Sequence, residues 1–498
     1  MKCPWLLHPF LLALLPLCIV YVLYLGEYPP KEFLLTLGIV LAASLLLLAI
    51  CAALFRSARK GAVLASFFLI LFYGYDSALR FLNRYAPAGY EPGDHRYALP
   101  VCLLLLVGVA WWLRRTRKDL GNLTRILNVV FACALLIPVA QAVFYHLRIR
   151  GGAAAGTAPL AAVPQATRQP VPAPDIYYII LDRYGSQETL ARYGCEDSEF
   201  LAALRRRGFY IATESWSNYL KTAPSLASTL DLEYLEALGA AAGRASIDWG
   251  PIFHRLDDHA AARFLKSQGY SYIHVGSFWW PTERNLHAQR NINVLSLPSN
   301  LMLLLETTFL PPIAQGLGIA PLDFRLQQWR RIPYQLDALE KLPAQPGPKF
   351  VFAHLLVPHE PYVFNPDGSF VSGKDFRARA GEENYCNQVA FTNSRVLLLI
   401  DRLLADSKVP PVILVQGDEG PFPGRYRKNE RDFDWKQATP DELREKASIL
   451  SAYLLPGADA KTLYPSISPV NSFRVVFNLY FGTNLPLLPD RTFAHEND

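Results

Sequence analysis

The chain follows two different hydrophobic rhythms. Apolar stretches run roughly over 5–26, 33–54, 61–79, 98–113 and 124–146, the third running into Asp76, each near the length of a helix that crosses a bilayer. They predict an N-terminal bundle of about five transmembrane helices, because too few polar positions lie among them to cover the same segments as a soluble core. Beyond residue 175 the rhythm shortens, and apolar runs of strand length alternate with segments of helical period, as in a βαβ-type sheet. The pattern predicts strands at 176–181, 208–212, 271–275, 350–354, 411–416 and 449–455, and helices at 197–207, 222–239, 258–268, 385–406 and 470–481. Residues 151–174, GGAAAGTAPLAAVPQATRQPVPAP, hold no aromatic residue and no amphipathic period, which predicts a linker. The expected organisation is a transmembrane helical domain at 1–147, an Ala/Pro/Gly-rich linker at 148–174 and an α/β domain at 175–498.

Charge orients these parts. Arg56, Arg59 and Lys60 lie between spans two and three, and Arg114, Arg115, Arg117 and Lys118 between spans four and five. Short loops rich in Lys and Arg stay in the cytoplasm, so an odd number of crossings puts the α/β domain outside. Arg80, Arg84 and Arg96 in the third loop oppose this, but Asp76, Glu91 and Asp94 accompany them. The first span could be read as a signal peptide, yet Lys2 is the lone charge before it and no small-residue cleavage site follows. A net charge of +6 over 498 residues, much of it beside the spans, argues for no nucleic-acid partner. Of the cysteines, Cys195 and Cys386 lie beyond the spans; one disulfide and two buried thiols are both compatible with their spacing.

Three apolar runs end in side chains suited to a metal or a phosphate: IYYIIL before Asp182, FVFA before His354, and VILVQG before Asp418 and Glu419. In open α/β sheets such strand ends converge, so residues distant in sequence can form one site. Thr222, in NYLKTAPSLAS, marks a helix start where backbone N–H groups favour anions, with Lys221 adding positive charge. A Thr hydroxyl there could serve as a metal-activated nucleophile. The acidic pair Asp418 and Glu419 precedes a Gly-Pro turn and offers hard oxygen ligands. His354 and His359 flank another strand end, where either could act as a general acid or donate to a phosphate. Each of these residues also has an ordinary structural reading as a cap, a turn or a buried histidine. Trp279, Trp280 and Arg284 could line a cleft but read more simply as packing.

The runs IYYIILDRYG, SNYLKTAPSLAS, FAHLLVPHEPY and VILVQGDEGP, in this order, resemble the membrane-anchored sulfatase-like branch of the alkaline phosphatase superfamily, over about residues 175–480. That branch includes lipoteichoic acid synthases and phosphoethanolamine transferases. The resemblance implies an alkaline-phosphatase-like α/β sheet sandwiched by helices, with Asp182, Thr222, Asp418 and Glu419 around a metal and Thr222 as nucleophile. His354 and His359 match the two histidines of the H-x(4)-H-x-P pattern that face the phosphate or a second metal. Two departures shape the expectation. Glu419 stands where the family usually has His, and no His lies between Gly420 and Gly482, so one divalent ion is expected, Mn²⁺ or Mg²⁺ rather than Zn²⁺. The C-x-P-S-R motif is absent, which argues against a formylglycine sulfatase. The resulting expectation is a multi-pass protein of a bacterial inner membrane, transferring or hydrolysing phosphoesters of phospholipid head groups or envelope glycans at the bilayer surface. The alternative is a catalytically degenerate relative with a binding or assembly role in envelope polysaccharide biosynthesis.

Overall fold

The computed structural model describes residues 5–25, 30–85, 94–151, 160–242, 248–294, 296–429, 433–459 and 461–494. The chain divides into two compact units, residues 1–153 with 296–327, and residues 154–295 with 328–498.

The first unit contains helices α1 (His8–Leu23), α2 (Pro30–Phe55), α3 (Ala58–Arg84), α4 (His95–Arg115) and α5 (Gly121–Gly151). Within the last four, Glu32–Phe55, Ala58–Arg84, His95–Arg115 and Gly121–Arg148 are long and apolar enough to cross a membrane. The 16-residue α1 is shorter than a full span. It is also the best enclosed, with Ala13 and Leu17 fully buried. Leu45, Leu46, Leu104, Val129 and Leu136 on α2, α4 and α5 are exposed, an apolar surface that a bilayer would cover. Gly61 lets α3 approach α2 closely, since a Cβ there would lie 2.5 Å from the Ala52 backbone. Residues 296–327, where the sequence pattern predicts no element, supply helices Ser299–Glu306 and Leu310–Leu317 to this unit. Leu304 joins Leu12, Ala13, Leu17, Val40 and Leu69 in one buried cluster, and Thr36 donates to Asn300 at 2.6 Å.

The second unit is built on a seven-stranded sheet of order β2-β7-β6-β1-β5-β3-β4. In chain order the strands are β1 (Ile176–Leu181), β2 (Tyr210–Ile211), β3 (Ser271–Val275), β4 (Arg290–Ile292), β5 (Lys349–Leu355), β6 (Val412–Gln416) and β7 (Ser451–Leu454). From β6 to β4 the strands are parallel, while β7 and β2 close one edge antiparallel. The parallel centre explains the unbroken apolar runs: Tyr177, Ile179 and Leu181 enter one core cluster, and Ile176, Tyr178 and Ile180 the other, so both faces are covered. Central β1 pairs with β5 and β6 in a register that sets Ile180 beside both His354 and Gln416. The carboxyl ends of these three strands are therefore level.

Several elements differ from the sequence pattern. The helix expected at 222–239 is two, Thr222–Asp231 and Glu236–Ala242, because Leu232 adopts a left-handed conformation with φ 58°. The strand expected at 208–212 shrinks to Tyr210–Ile211. Strand β4 and the helix Phe324–Glu340 carry no clear period in the sequence. Part of the expected linker, 152–159, lies outside the described residues. Residues 160–174 form neither helix nor strand, yet they are fastened down. Thr167 and Arg168 donate backbone N–H groups to Phe481 O, and the Arg168 side chain bonds Leu479 O, using carbonyls that the end of helix Ser472–Phe481 leaves open. Cys195 and Cys386 are joined in a disulfide, which ties the helix Gly381–Asp406 to the loop before Ser198–Arg206.

Candidate metal centre

The site is assembled from three strand ends and one helix start. After β1, Asp182 donates its N–H to Leu355 O on β5, and Arg183 turns the chain with φ 61°. That conformation costs a non-glycine residue on the order of 1 kcal/mol. It is held from two sides: Arg183 N donates to Asp418 Oδ1 at 3.0 Å, and the Tyr385 hydroxyl donates to Arg183 O at 2.8 Å. After β6, Gly417 passes so close to this turn that a Cβ would lie 2.4 Å from Tyr184 O; any other residue would force Asp418 away. The helix Thr222–Asp231 is anchored by Ser225, whose hydroxyl donates to Asp418 O at 2.7 Å. Its first residue, Thr222, stands near enough to the Asp418 carboxylate to favour the charged form of that group.

Asp182, His354 and Asp418 are all buried, and one ligand atom from each lies within 4.8 Å of the others. Asp182 Oδ1 and Asp418 Oδ2 have no hydrogen-bond partner in this buried setting, which normally costs a carboxylate dearly. The electrostatics agree. Burial opposes charge on Asp182, yet His359, the His354 hydrogen bond and Arg183 outweigh it and hold this carboxyl below its usual range. Burial, followed by the charge of Asp182, pushes Asp418 well up despite the nearby Thr222 hydroxyl and the bond from Arg183 N–H. Two facing carboxylates with free oxygens and too little positive charge between them fit a divalent cation.

The other expected site residues are placed differently. Glu419 is buried beside Asp418 but forms an ion pair with buried Lys446 at 2.7 Å, and its second contact is Arg183 Nε at 3.5 Å. Burial raises the Glu419 carboxyl and lowers the Lys446 ammonium, each resisted by the other's charge. Both contacts use Oε1; Oε2 is, like Asp182 Oδ1 and Asp418 Oδ2, buried without a hydrogen-bond partner, although Glu419 is not among the three residues whose ligand atoms converge within 4.8 Å. His354 has both ring nitrogens engaged, Nε2 with Asp182 Oδ2 at 3.0 Å and Nδ1 with Thr282 Oγ1 at 2.7 Å. His359 is only half-buried. Its ring bonds Glu360 O, and its pKa falls to about 4 through burial and the nearby Arg183, against the pull of Asp182.

Sequence reasoning missed Thr282, Lys446 and the role of Arg183. Arg183 did carry a signal, its position directly after Asp182. Thr282 and Lys446 carried none, the latter because ELREKA reads as an ordinary solvated helix. Trp279, set aside in the sequence, packs its ring edge-on to His354 with centroids 6.0 Å apart.

No protein-family model and no curated protein sequence matches the chain. Among solved structures, the chain is similar to the integral membrane lipooligosaccharide phosphoethanolamine transferase A (EptA) of Neisseria meningitidis, at 11% identity and a TM-score of 0.41, over 95% of this chain and 94% of that one. It is similar to the C-terminal periplasmic domain of EcEptC from Escherichia coli, at 13% identity and a TM-score of 0.41, over 65% and 86% of the two chains. It is also similar to the corresponding domain of phosphoethanolamine transferase EptC from Campylobacter jejuni, at 11% identity and a TM-score of 0.38, over 64% and 95%.

Proposed function

We propose that this protein is a membrane-anchored phosphoesterase or phosphoryl-group transferase whose nucleophile is Thr222 and whose catalytic unit faces the outside of a bacterial inner membrane. The observation that carries this reading is the buried meeting of Asp182, Asp418 and His354, with Thr222 starting the helix that Ser225 fastens to Asp418 O. The residues fit one divalent cation, held by Asp182, Asp418 and the Thr222 oxygen, with His354 as a further ligand or as the group that orients Asp182. Such an ion would lower the pKa of the Thr222 hydroxyl and draw negative charge off the phosphoryl oxygens. With Glu419 committed to Lys446, the donor set suits Zn²⁺ as well as Mn²⁺ or Mg²⁺.

The chain's own groups divide the remaining work. Asp418 accepts the Thr222 proton and aims its oxygen. The oxygen forms a bond to phosphorus as the ester oxygen of the donor leaves, giving a phosphothreonine and an alcohol. N–H groups at the start of helix Thr222–Asp231 favour the anionic phosphoryl group. His359, neutral and with its Nδ1–H donating to Glu360 O, presents Nε2 as an acceptor suited to take the proton of the incoming water or acceptor hydroxyl, while the leaving oxygen draws its proton from solvent. Water or an acceptor hydroxyl then takes the phosphoryl group from Thr222. The expected substrates are phospholipid head-group donors and envelope glycan acceptors.

One experiment tests the reading. The full chain in detergent is assayed for bound metal and for release from phospholipid and phosphodiester substrates, beside Thr222→Ala. Metal-dependent turnover that disappears in Thr222→Ala, with phosphate trapped on Thr222 by mass spectrometry, is the expected result. A second reading, a site that binds without turnover, is favoured by the diversion of Glu419 to Lys446. Stoichiometric metal with no Thr222-dependent release across Mg²⁺, Mn²⁺ and Zn²⁺ would establish it instead.

A further inference from the structure

The joint between helices Ser299–Glu306 and Leu310–Leu317 fixes how deep the second of them begins. The Phe309 ring packs edge-on against Phe68, Phe72 and Tyr75 of α3, with centroids 5.8, 5.0 and 5.9 Å away. Just before it, Thr307 O accepts from Asp76 N, and Asp76 pairs with Arg80 at 2.8 Å. Asp76, Arg80 and Glu306 therefore mark the charged level at this end of α3, and Phe309 lies below it. Phe72 stands four residues inward of Asp76, about 6 Å along a helix. A helix lying in a bilayer interface has its apolar face sunk by about 5–10 Å.

From that depth the chain runs on without charge: residues 307–322 include no Asp, Glu, Lys or Arg. Between 310 and 321 the exposed positions are Ile313, Gly316, Leu317, Gly318, Ile319 and Pro321, none with a polar side chain. Leu317 is 70% exposed, while Ala314 of the same helix is buried. The backbone ends are also served from within. Leu310 N donates to Thr308 Oγ1, and Pro311 and Pro312 have no N–H to satisfy. At the other end Gly318 N and Ile319 N donate to Gln315 O and Ala314 O. Neither the surface of this helix nor its ends need water, which is what hydrocarbon demands of a chain segment. Both ends of 296–327 join the α/β unit, and a helix of 8 residues is too short to cross. The segment therefore enters and leaves a bilayer on one side.

We infer that Phe309–Leu322 is an insertion into the leaflet on the side of the α/β unit, and that Ile313, Leu317 and Ile319 form a docking surface for phospholipid acyl chains. The surface continues the lipid-facing one of α2, α4 and α5. It does not rest on the proposed chemistry.

The full chain, in phosphatidylcholine vesicles that include a phospholipid with a diazirine in the upper half of its acyl chain, is irradiated and its adducts are located by mass spectrometry. Adducts are expected on peptides covering 310–322 as on α2 and α5, and several-fold fewer on peptides of the α/β unit. Adducts on α2 and α5 with none on 310–322 overturn the inference. A second measurement reads single positions. With Cys18, Cys51, Cys102 and Cys133 changed to alanine and the Cys195–Cys386 disulfide kept, a nitroxide is attached at Leu317→Cys, at Leu136→Cys on α5 or at Lys408→Cys on the α/β unit. Relaxation by oxygen relative to a nickel chelate should be several-fold greater at positions 317 and 136 than at 408. A ratio at 317 equal to that at 408 means that water covers the face. A label at 317 shielded from both reagents means that protein covers it, as a second copy of this chain would. Either result overturns the inference. Neither readout involves turnover, so failure of the Thr222 chemistry and failure of this surface are told apart.

Discussion

At the scale of single residues, His354 is held by neighbours of opposite character, the Asp182 carboxylate on Nε2 and the Thr282 hydroxyl on Nδ1. Thr282 is itself fixed by Ser277 at 2.8 Å. A hydroxyl can donate to an imidazole nitrogen or accept from it, so Thr282 serves His354 whether or not Nε2 takes a metal. Thr282→Val keeps the shape and removes this adaptor, and metal affinity measured by chelator competition should fall about 10- to 100-fold. An unchanged affinity would mean that His354 is oriented by packing alone. Glu419 and Lys446 form the second residue-scale case. Lys446→Met leaves a carboxylate buried without its partner and should cost about 3–5 kcal/mol in unfolding free energy. Adding Glu419→Gln should recover most of that loss, because no unpaired charge then remains; a double variant as unstable as the single would show that Lys446 acts mainly through packing over Phe422, whose ring centre is 3.4 Å from Nζ. Asp182, Asp418 and Thr222 were legible in the sequence since each stands where an apolar run stops or a helix starts. The commitment of Glu419 was not, as its partner lies on a charged helix whose buried face depends on tertiary packing.

At the scale of elements, the central parallel strands announce themselves through unbroken apolar runs, because both their faces are covered. Edge elements are weaker signals: β2 has two residues and β4 three, and pairing with a neighbour, rather than their own period, makes them strands. The long helix Gly381–Asp406 was legible from its period, but its connection to the site was not. Tyr385 on this helix holds both Arg183 O and Gly185 N, and the next residue, Cys386, is bonded to Cys195. The disulfide therefore braces the helix beside the turn that presents Asp182. Replacing both cysteines with serine should lower the stability of the second unit by about 2–5 kcal/mol, read by chemical denaturation. Loss within that range is also expected when the chain is made in a reducing compartment. A variant as stable as the parent would show that helix packing alone supports the turn.

At the scale of the whole molecule, the boundary between apolar helices and α/β sheet was visible at first reading, while the grouping of 296–327 with the helices was not. This segment, SLPSNLMLLLETTFLPPIAQGLGIAPLDFRLQ, is broken by prolines into two helices of 8 residues, each too short to span, and lacks a strand period, so nothing local says which surface it covers. Its membership has a consequence for how the protein can be taken apart. The chain passes between the two units three times, near residues 153, 295 and 327. A single cut ahead of residue 160 would sever one covalent tie and leave two. After cleavage at a protease site inserted between residues 153 and 160, the C-terminal fragment should therefore stay with the membrane pellet through an alkaline wash. Appearance of that fragment in the supernatant would show that 296–327 holds too weakly to retain it. Shedding the sheet into solution would demand loss of all three connections, so a protease that cuts at one place alone leaves the α/β unit still joined to the segment 296–327 that packs among the helices.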